Sequence, residues 1–142
     1  MNITRFLLII FFINFIIHTN IYAKNSFFAE GQKLYKEKKF SQSKFNFEKD
    51  IVFNPKNEKS YLFLAKIFNH QEDDFMEEQN LKTVILLDPK NEEALYLLAL
   101  LNIKKSDYVK SKKLISDFKK VCSSFCNKES ELKKKLENLE PK

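Results

Sequence analysis

Pro55 and Pro89 stand 34 residues apart, and each closes a run with the same layout of large and small apolar residues. Reading back from Pro55 gives Gly31, Leu34, Tyr35, Phe40, Phe47 and Ile51. Reading back from Pro89 gives Leu64, Ala65, Phe68, Phe75, Leu81, Val84 and Ile85. A third block without a closing proline carries Leu98, Ala99, Tyr108, Ser111, Ile115 and Phe118 at matching places. A period in the range of about 20 to 50 residues marks units that cannot bury their apolar faces alone and must stack on their neighbours. Tyr61, Leu64, Ala65 and Phe68 follow the i, i+3, i+4, i+7 rule of a helix, with a small residue where two helices must approach. The expected fold is therefore all-α: helical hairpins over about 24–57, 58–91 and 92–125, forming a repeat domain of 24–126, and then a C-terminal capping segment of 127–142.

The hairpins can be drawn more finely. The first is expected to run from about Ser26 to Glu37 and from Ser41 to Phe53, with Lys38-Lys39-Phe40 as the bend and Ser41 as the N-cap. Asn54-Pro55 ends it, because proline lacks the backbone donor and pushes the preceding residue out of the α region. In the second, Asn69 to Asp74 form the bend, and the returning helix spans Phe75 to Leu87 before Asp88-Pro89. The third runs from Glu92 to Ile103, turns over Lys104 to Asp107 and returns from Tyr108 to Val121. Beyond Cys126, Leu132, Leu136 and Leu139 make one narrow apolar stripe on a charged helix. Such a helix, over about 128–140, suits the open end of a stack, covering core with one face and meeting water with the other; the alternative is a peptide arm that binds something else.

Residues 1–23 combine Arg5, the oily run Phe6 to Ile17 and Ala23 before a polar stretch, the pattern of a secretory signal peptide. A helix of that run would rise about 18 Å, against about 30 Å of hydrocarbon. Asn14, His18, Thr19 and Asn20 block its extension. The expectation is export to the periplasm or beyond the cell in a bacterial envelope, with cleavage after Ala23; an uncleaved segment would be an anchor, the one route to a membrane. The whole chain has 25 basic and 19 acidic side chains. Its lysines are mostly interleaved with acids, as on solvated helix faces. No base-reading element is present, and no nucleic-acid partner is expected.

Candidate chemistry is sparse. Cys122 and Cys126 form a C-x3-C pair where the third hairpin meets the last helix. In an exported chain this spacing predicts a disulfide and, because continuous helix would hold the two Cβ atoms apart, a break in the helix there. Two thiols without nearby histidine fall short of a zinc set. His70 lies beside Gln71, Glu72 and Asp73 in a bend, with no nucleophile motif around it. The acids Glu72, Asp73, Asp74, Glu77 and Glu78 lack the spaced ligands and glycine of a calcium loop. One glycine rules out a phosphate-cradling loop. No cofactor, metal or catalytic residue is expected.

The periodic residues resemble the tetratricopeptide repeat (TPR) family over roughly residues 24–121. Phe27, Gly31, Leu34, Phe40, Phe47, Ile51 and Pro55 carry the resemblance in the first unit; Tyr61, Leu64, Ala65, Phe68, Leu81, Val84 and Pro89 in the second; Leu95, Leu98, Ala99, Tyr108, Ser111 and Ile115 in the third. Departures are Glu30 for a leucine, Asp50 for a small residue, Phe75 one place late, and Val121-Cys122 where Asp-Pro is usual. The resemblance implies a right-handed α-solenoid whose first helices line a concave groove for an extended peptide or partner helix. Groove residues carried over by position are Phe28, Gln32, Tyr35 and Lys36; then Lys59, Leu62, Lys66, Asn69 and His70; then Tyr96, Leu100, Ile103 and Lys104. Aromatics for buried area and four lysines for charge would suit a ligand with apolar anchors and carboxylate ends. Lys66 and Asn69 match part of the family's clamp for a C-terminal carboxylate. The implied function is an exported, non-catalytic adaptor with a protein or peptide ligand; an anchored surface protein and a small thiol-dependent accessory enzyme are the alternatives, and self-association through an uncovered end stays open.

Overall fold

The structure, a computed structural model, describes residues 27–139. The signal-peptide expectation for residues 1–23 lies outside them. Seven helices follow one another: α1 (residues 27–36), α2 (Phe40–Phe53), α3 (Glu58–His70), α4 (Asp74–Leu87), α5 (Glu92–Lys104), α6 (Tyr108–Val121) and α7 (Lys128–Leu139). The described residues contain no strand. None of the described helices is long and apolar enough to cross a membrane. The chain divides into two compact units after Pro55.

The 34-residue period is written into the backbone. Lys38, Glu72 and Ser106, one period apart, all adopt a left-handed conformation with φ of 58 to 59°. At each, two bonds close the end of the first helix: the Lys39, Asp73 and Asp107 amides donate to the Leu34, Phe68 and Asn102 carbonyls, and the Lys38, Glu72 and Ser106 amides to those of Tyr35, Asn69 and Ile103. This is the Schellman C-cap, which satisfies carbonyls the helix leaves orphaned. The second helix then starts at once, with Asp73 accepting from the Met76 amide at 3.0 Å and Asp107 from the Lys110 amide at 3.1 Å. In the first hairpin the equivalent N-cap is Lys39, so α2 begins at Phe40 and Ser41 lies inside it, correcting its expected role as cap.

The second helices also end in register. Asn54, Asp88 and Cys122 each donate a backbone N–H to the carbonyl four residues back, at 2.7 to 2.8 Å. Proline follows in the first two. In the third, residues 122–127 break away instead, and Cys122 and Cys126 are bonded with their Cα atoms 5.2 Å apart. The expected disulfide and the expected helix break occur together.

In the first unit, α1 and α2 pack through Gly31, where an added Cβ would lie 2.8 Å from the fully buried Phe47 ring. Ser43 Oγ donates to the Gly31 carbonyl at 2.8 Å across that contact. Asp50 is buried on α2 and accepts from Asn54 Nδ2 at 3.2 Å. In the second unit, Leu62, Ala65, Leu81, Val84, Ala94, Leu98 and Leu101 form one core cluster, and Leu95, Ala99, Ile103, Ile115, Phe118, Leu132 and Leu136 another. Ala65 and Ala99 are the small residues of close approach, one and two periods after Gly31. α7 contributes Leu132 and Leu136 to the second cluster. Leu139, expected on the same stripe, is 56% exposed, and Phe75 of α4 is 67% exposed, outside the core the apolar layout assigned it to. Phe75 is one place late in the period, and its mates Ser41 and Val109 are exposed as well.

Candidate functional site

First helices present the residues assigned to recognition, and each compact unit is best taken by itself. In the first, Phe28 packs its ring 5.8 Å from that of Phe47, and Tyr35 meets Phe40 edge-on at 5.5 Å. Both are half-buried anchors of their own hairpin. Gln32 is half-buried and Lys36 is exposed.

In the second unit, α3 and α5 contribute the remaining positions. Leu62 and Ile103 do not reach the surface: both are core members, buried by the neighbours named above. Their assignment to a ligand-contacting groove is corrected on that ground. Tyr96 and Leu100 are half-buried, one turn apart on α5 and packed against the second core cluster. Lys59, Asn69, His70 and Lys104 are exposed.

The polar groups among them are engaged with the chain's own carboxylates. Lys66 Nζ pairs with Glu93 at 2.5 Å, linking α3 to α5, and lies 5.1 Å from the centre of the Phe63 ring. Lys104 pairs with Asp74 at 2.6 Å, which holds the Lys104 ammonium's pKa up. Asn69 Nδ2 donates to Glu77 Oε2 at 3.0 Å. Glu77 is buried where its period mates are Ser43 and Ser111, and that burial pushes its carboxyl upward against the opposing pull of the Asn69 bond. So two of the four assigned lysines, and both residues that matched part of a carboxylate clamp, already hold acids from within. The expected acid-seeking face is reduced to a balanced one.

Tyr96 joins α5 to α7. Its hydroxyl donates to Glu131 at 3.0 Å, Lys128 bonds the other Glu131 oxygen at 2.9 Å, and the Lys128 ammonium sits 5.6 Å from the ring centre. Burial, then the Glu131 bond, raises the phenol; Lys128, then Tyr96, lowers the Glu131 carboxyl. Glu93, Lys128 and Glu131 were not among the sequence assignments. Glu93 was within reach, because it lies one period after Lys59; the α7 pair required knowing that α7 packs on α5.

The acidic run does not converge. Asp73 caps α4, Asp74 and Glu77 are bonded as above, and Glu78 takes Lys82 at 2.6 Å and also Lys105. The described residues contain no group of three or more His, Cys, Asp or Glu able to hold a metal ion. A further acid tie was not foreseen: Glu92, in the first turn of α5, accepts from the Ser123 hydroxyl at 2.6 Å and from the Phe125 amide at 2.8 Å. The Ser124 amide adds a third bond, and together these donors pull its pKa down to about 2. They fasten the Cys122–Cys126 turn to the start of α5.

Solved TPR domains share this fold. The TPR2B domain of yeast Sti1, in a complex with pHsp70, aligns with a TM-score of 0.76 at 13% identity, over 82% of this chain and 98% of that one. The Arabidopsis OM64 TPR domain gives 0.75 at 18% identity, over 84% and 98%. The Yersinia enterocolitica type III secretion chaperone SycD, in complex with a peptide of the translocator YopD, gives 0.72 at 11% identity, over 81% and 90%. No protein-family model matches the sequence, and no curated protein matches it either.

Proposed function

We propose that the chain is an exported, non-catalytic adaptor that holds a protein or peptide partner against the face made by α3 and α5. The observation that carries this is on α5. Tyr96 and Leu100 offer half-buried apolar surface in a frame of charges already paired, Lys66 with Glu93 and Lys128 with Glu131. A rigid, neutralised frame around apolar side chains favours a partner that inserts apolar anchors, and the paired charges orient it more than they attract it. The Sti1 TPR2B domain in complex with pHsp70 and the chaperone SycD in complex with a YopD peptide, which share this fold, support recognition of this kind. Export rests on the charged, oily and small-residue order of residues 1–23 and on the bonded cysteine pair.

The test is in-cell photo-crosslinking from Lys59, Tyr96 and Leu100, with Leu86 of α4 as control, since Leu86 is 81% exposed on a second helix. One protein trapped from the α5 positions and not from Leu86 is the expected result. Trapping from Leu86 alone would overturn the assignment. The mature N-terminus, read by mass spectrometry, is expected at Lys24; a chain retaining Met1 would replace export of a free adaptor with an anchored protein.

A further inference from the structure

Each first helix up to α5 is paired with a returning helix of fourteen residues: α2, α4 and α6. α7 has the place of a first helix, with Leu132 and Leu136 buried against the preceding hairpin, and no returning helix follows it among the described residues. Between α6 and α7 lies a cleft of about 290 Å³, floored by Ile115 and Leu136 and rimmed by Lys112, Lys119, Lys133 and Glu129. The bond from the Tyr108 hydroxyl to the Leu139 carbonyl at 2.7 Å shows that the two helices run antiparallel, N-terminus of α6 beside C-terminus of α7. At that end Val109, 82% exposed, and Leu139 extend the apolar strip.

Charge identifies the occupant. α6 and α7 together hold nine lysines and four acids, whereas the rest of residues 24–142 holds fifteen of each. The whole basic excess of that stretch is on these two helices. We propose that this cleft is a second docking site, distinct from the face of α3 and α5, which takes an acidic amphipathic helix of a partner protein in the position that a returning helix would take beside α7. Lys133 pairs with Glu129 within the rim at 2.7 Å, so leucine-like side chains would enter over Ile115, Ser116 and Leu136 while flanking carboxylates meet Lys112 and Lys119 and compete with Glu129 for Lys133, the helix-in-groove mode of recognition. The volume is at the lower edge of the ~300 to 1,000 Å³ of small-molecule sites, and suits inserted side chains. A second copy would bring the same positive charge to the contact. An anionic membrane would match the charge and meet the exposed Val109 and Leu139, but the floor of the cleft itself, Ile115 at 6% and Leu136 at 7% exposure, is recessed, which suits inserted side chains better than a flat interface.

The experiment titrates the full oxidised chain into two fluorescein-labelled fourteen-residue peptides of equal composition. One places leucine at i, i+3, i+4 and i+7 with glutamate on the flanks; the other is scrambled. Saturable one-to-one binding of the patterned peptide, at least about tenfold tighter than the scrambled one, is expected. The triple variant Lys112→Glu, Lys119→Glu, Lys133→Glu should weaken it at least tenfold. Ser116→Trp, an exposed position on the cleft, should block it with an unchanged melting curve. Equal binding of both peptides, no binding, or full retention by Ser116→Trp each overturns the proposal. So does self-association lost in Ser116→Trp, which makes a second copy the occupant, or binding of phosphatidylglycerol vesicles that excludes the patterned peptide. Crosslinking from Tyr96 is indifferent to Ser116→Trp, so failure of either site is separable from failure of the other.

Discussion

Three residues carry the bends in a conformation that suits none of them. Lys38, Glu72 and Ser106 sit at positive φ, where a Cβ crowds the backbone at a cost of about 1 to 2 kcal/mol and glycine incurs none. Ser106→Gly should stabilise the chain by about 0.5 to 1 kcal/mol once the greater freedom of glycine in the unfolded chain is subtracted, read as a higher urea midpoint at unchanged slope. Gly31 works in the opposite sense. Its missing Cβ is what lets the Phe47 ring lie against α1, and Phe47 is enclosed on all sides. Gly31→Ala should therefore cost about 1 to 3 kcal/mol as overpacking, shown by a lower urea midpoint. At Glu77 the carboxyl is raised by burial, so the folded state binds the proton more tightly than the unfolded one. Stability is then lost as pH rises upward from the ordinary value of 4.5. Glu77→Gln, which can still accept from Asn69, should be the more stable protein at pH 8, and the advantage should disappear near pH 4; an equal difference at both values would show that ionisation is not its source.

At the scale of elements, helix ends were easier to find in the sequence where they are marked by chemistry that acts locally. Asn54-Pro55 and Asp88-Pro89 stop α2 and α4 where expected, because proline acts on its own neighbours. The first bend was placed one residue late because its left-handed residue is a lysine, and no glycine announces it. Phe75 points away from the core because it stands one place after the period position that Phe40 and Tyr108 hold, where the second unit has Asp74, and the matching Ser41 and Val109 are exposed too. The last element depends on a tie no local pattern shows, since Glu92 and Ser123 to Phe125 are about thirty residues apart in sequence. With its pKa depressed to about 2, Glu92 contributes above the unfolded value of 4.5 and loses that contribution as pH falls towards 2. Glu92→Gln should reduce hydrogen-exchange protection of the Ser124 and Phe125 amides at pH 7 and match the parent chain near pH 2. Reducing the Cys122–Cys126 bond, which closes a very short loop, should cost about 2 kcal/mol or less. The loss should be local, seen as faster exchange in α7 while α3 and α4 keep their protection.

For the molecule as a whole, the period makes the fold legible, and of the assigned groove positions only burial can be compared. Positions repeated every 34 residues are structural first, and the same carry-over that assigns Tyr96 and Leu100, half-buried on α5, also assigns Leu62 and Ile103, which neighbouring helices bury. Net charge was a poor guide for a related reason. Lys66 and Lys104 are held by Glu93 and Asp74, partners that only the stacking of hairpins brings near, while the excess of lysine over acid lies on α6 and α7. The central claim is that one hairpin is repeated three times with the same backbone. Its most direct test is the φ angle at Lys38, Glu72 and Ser106 in solution, obtained from three-bond amide to Hα couplings and intraresidue distances by NMR. A left-handed angle at all three is predicted. Right-handed helical angles at any of them, with the flanking helix running on, would contradict it.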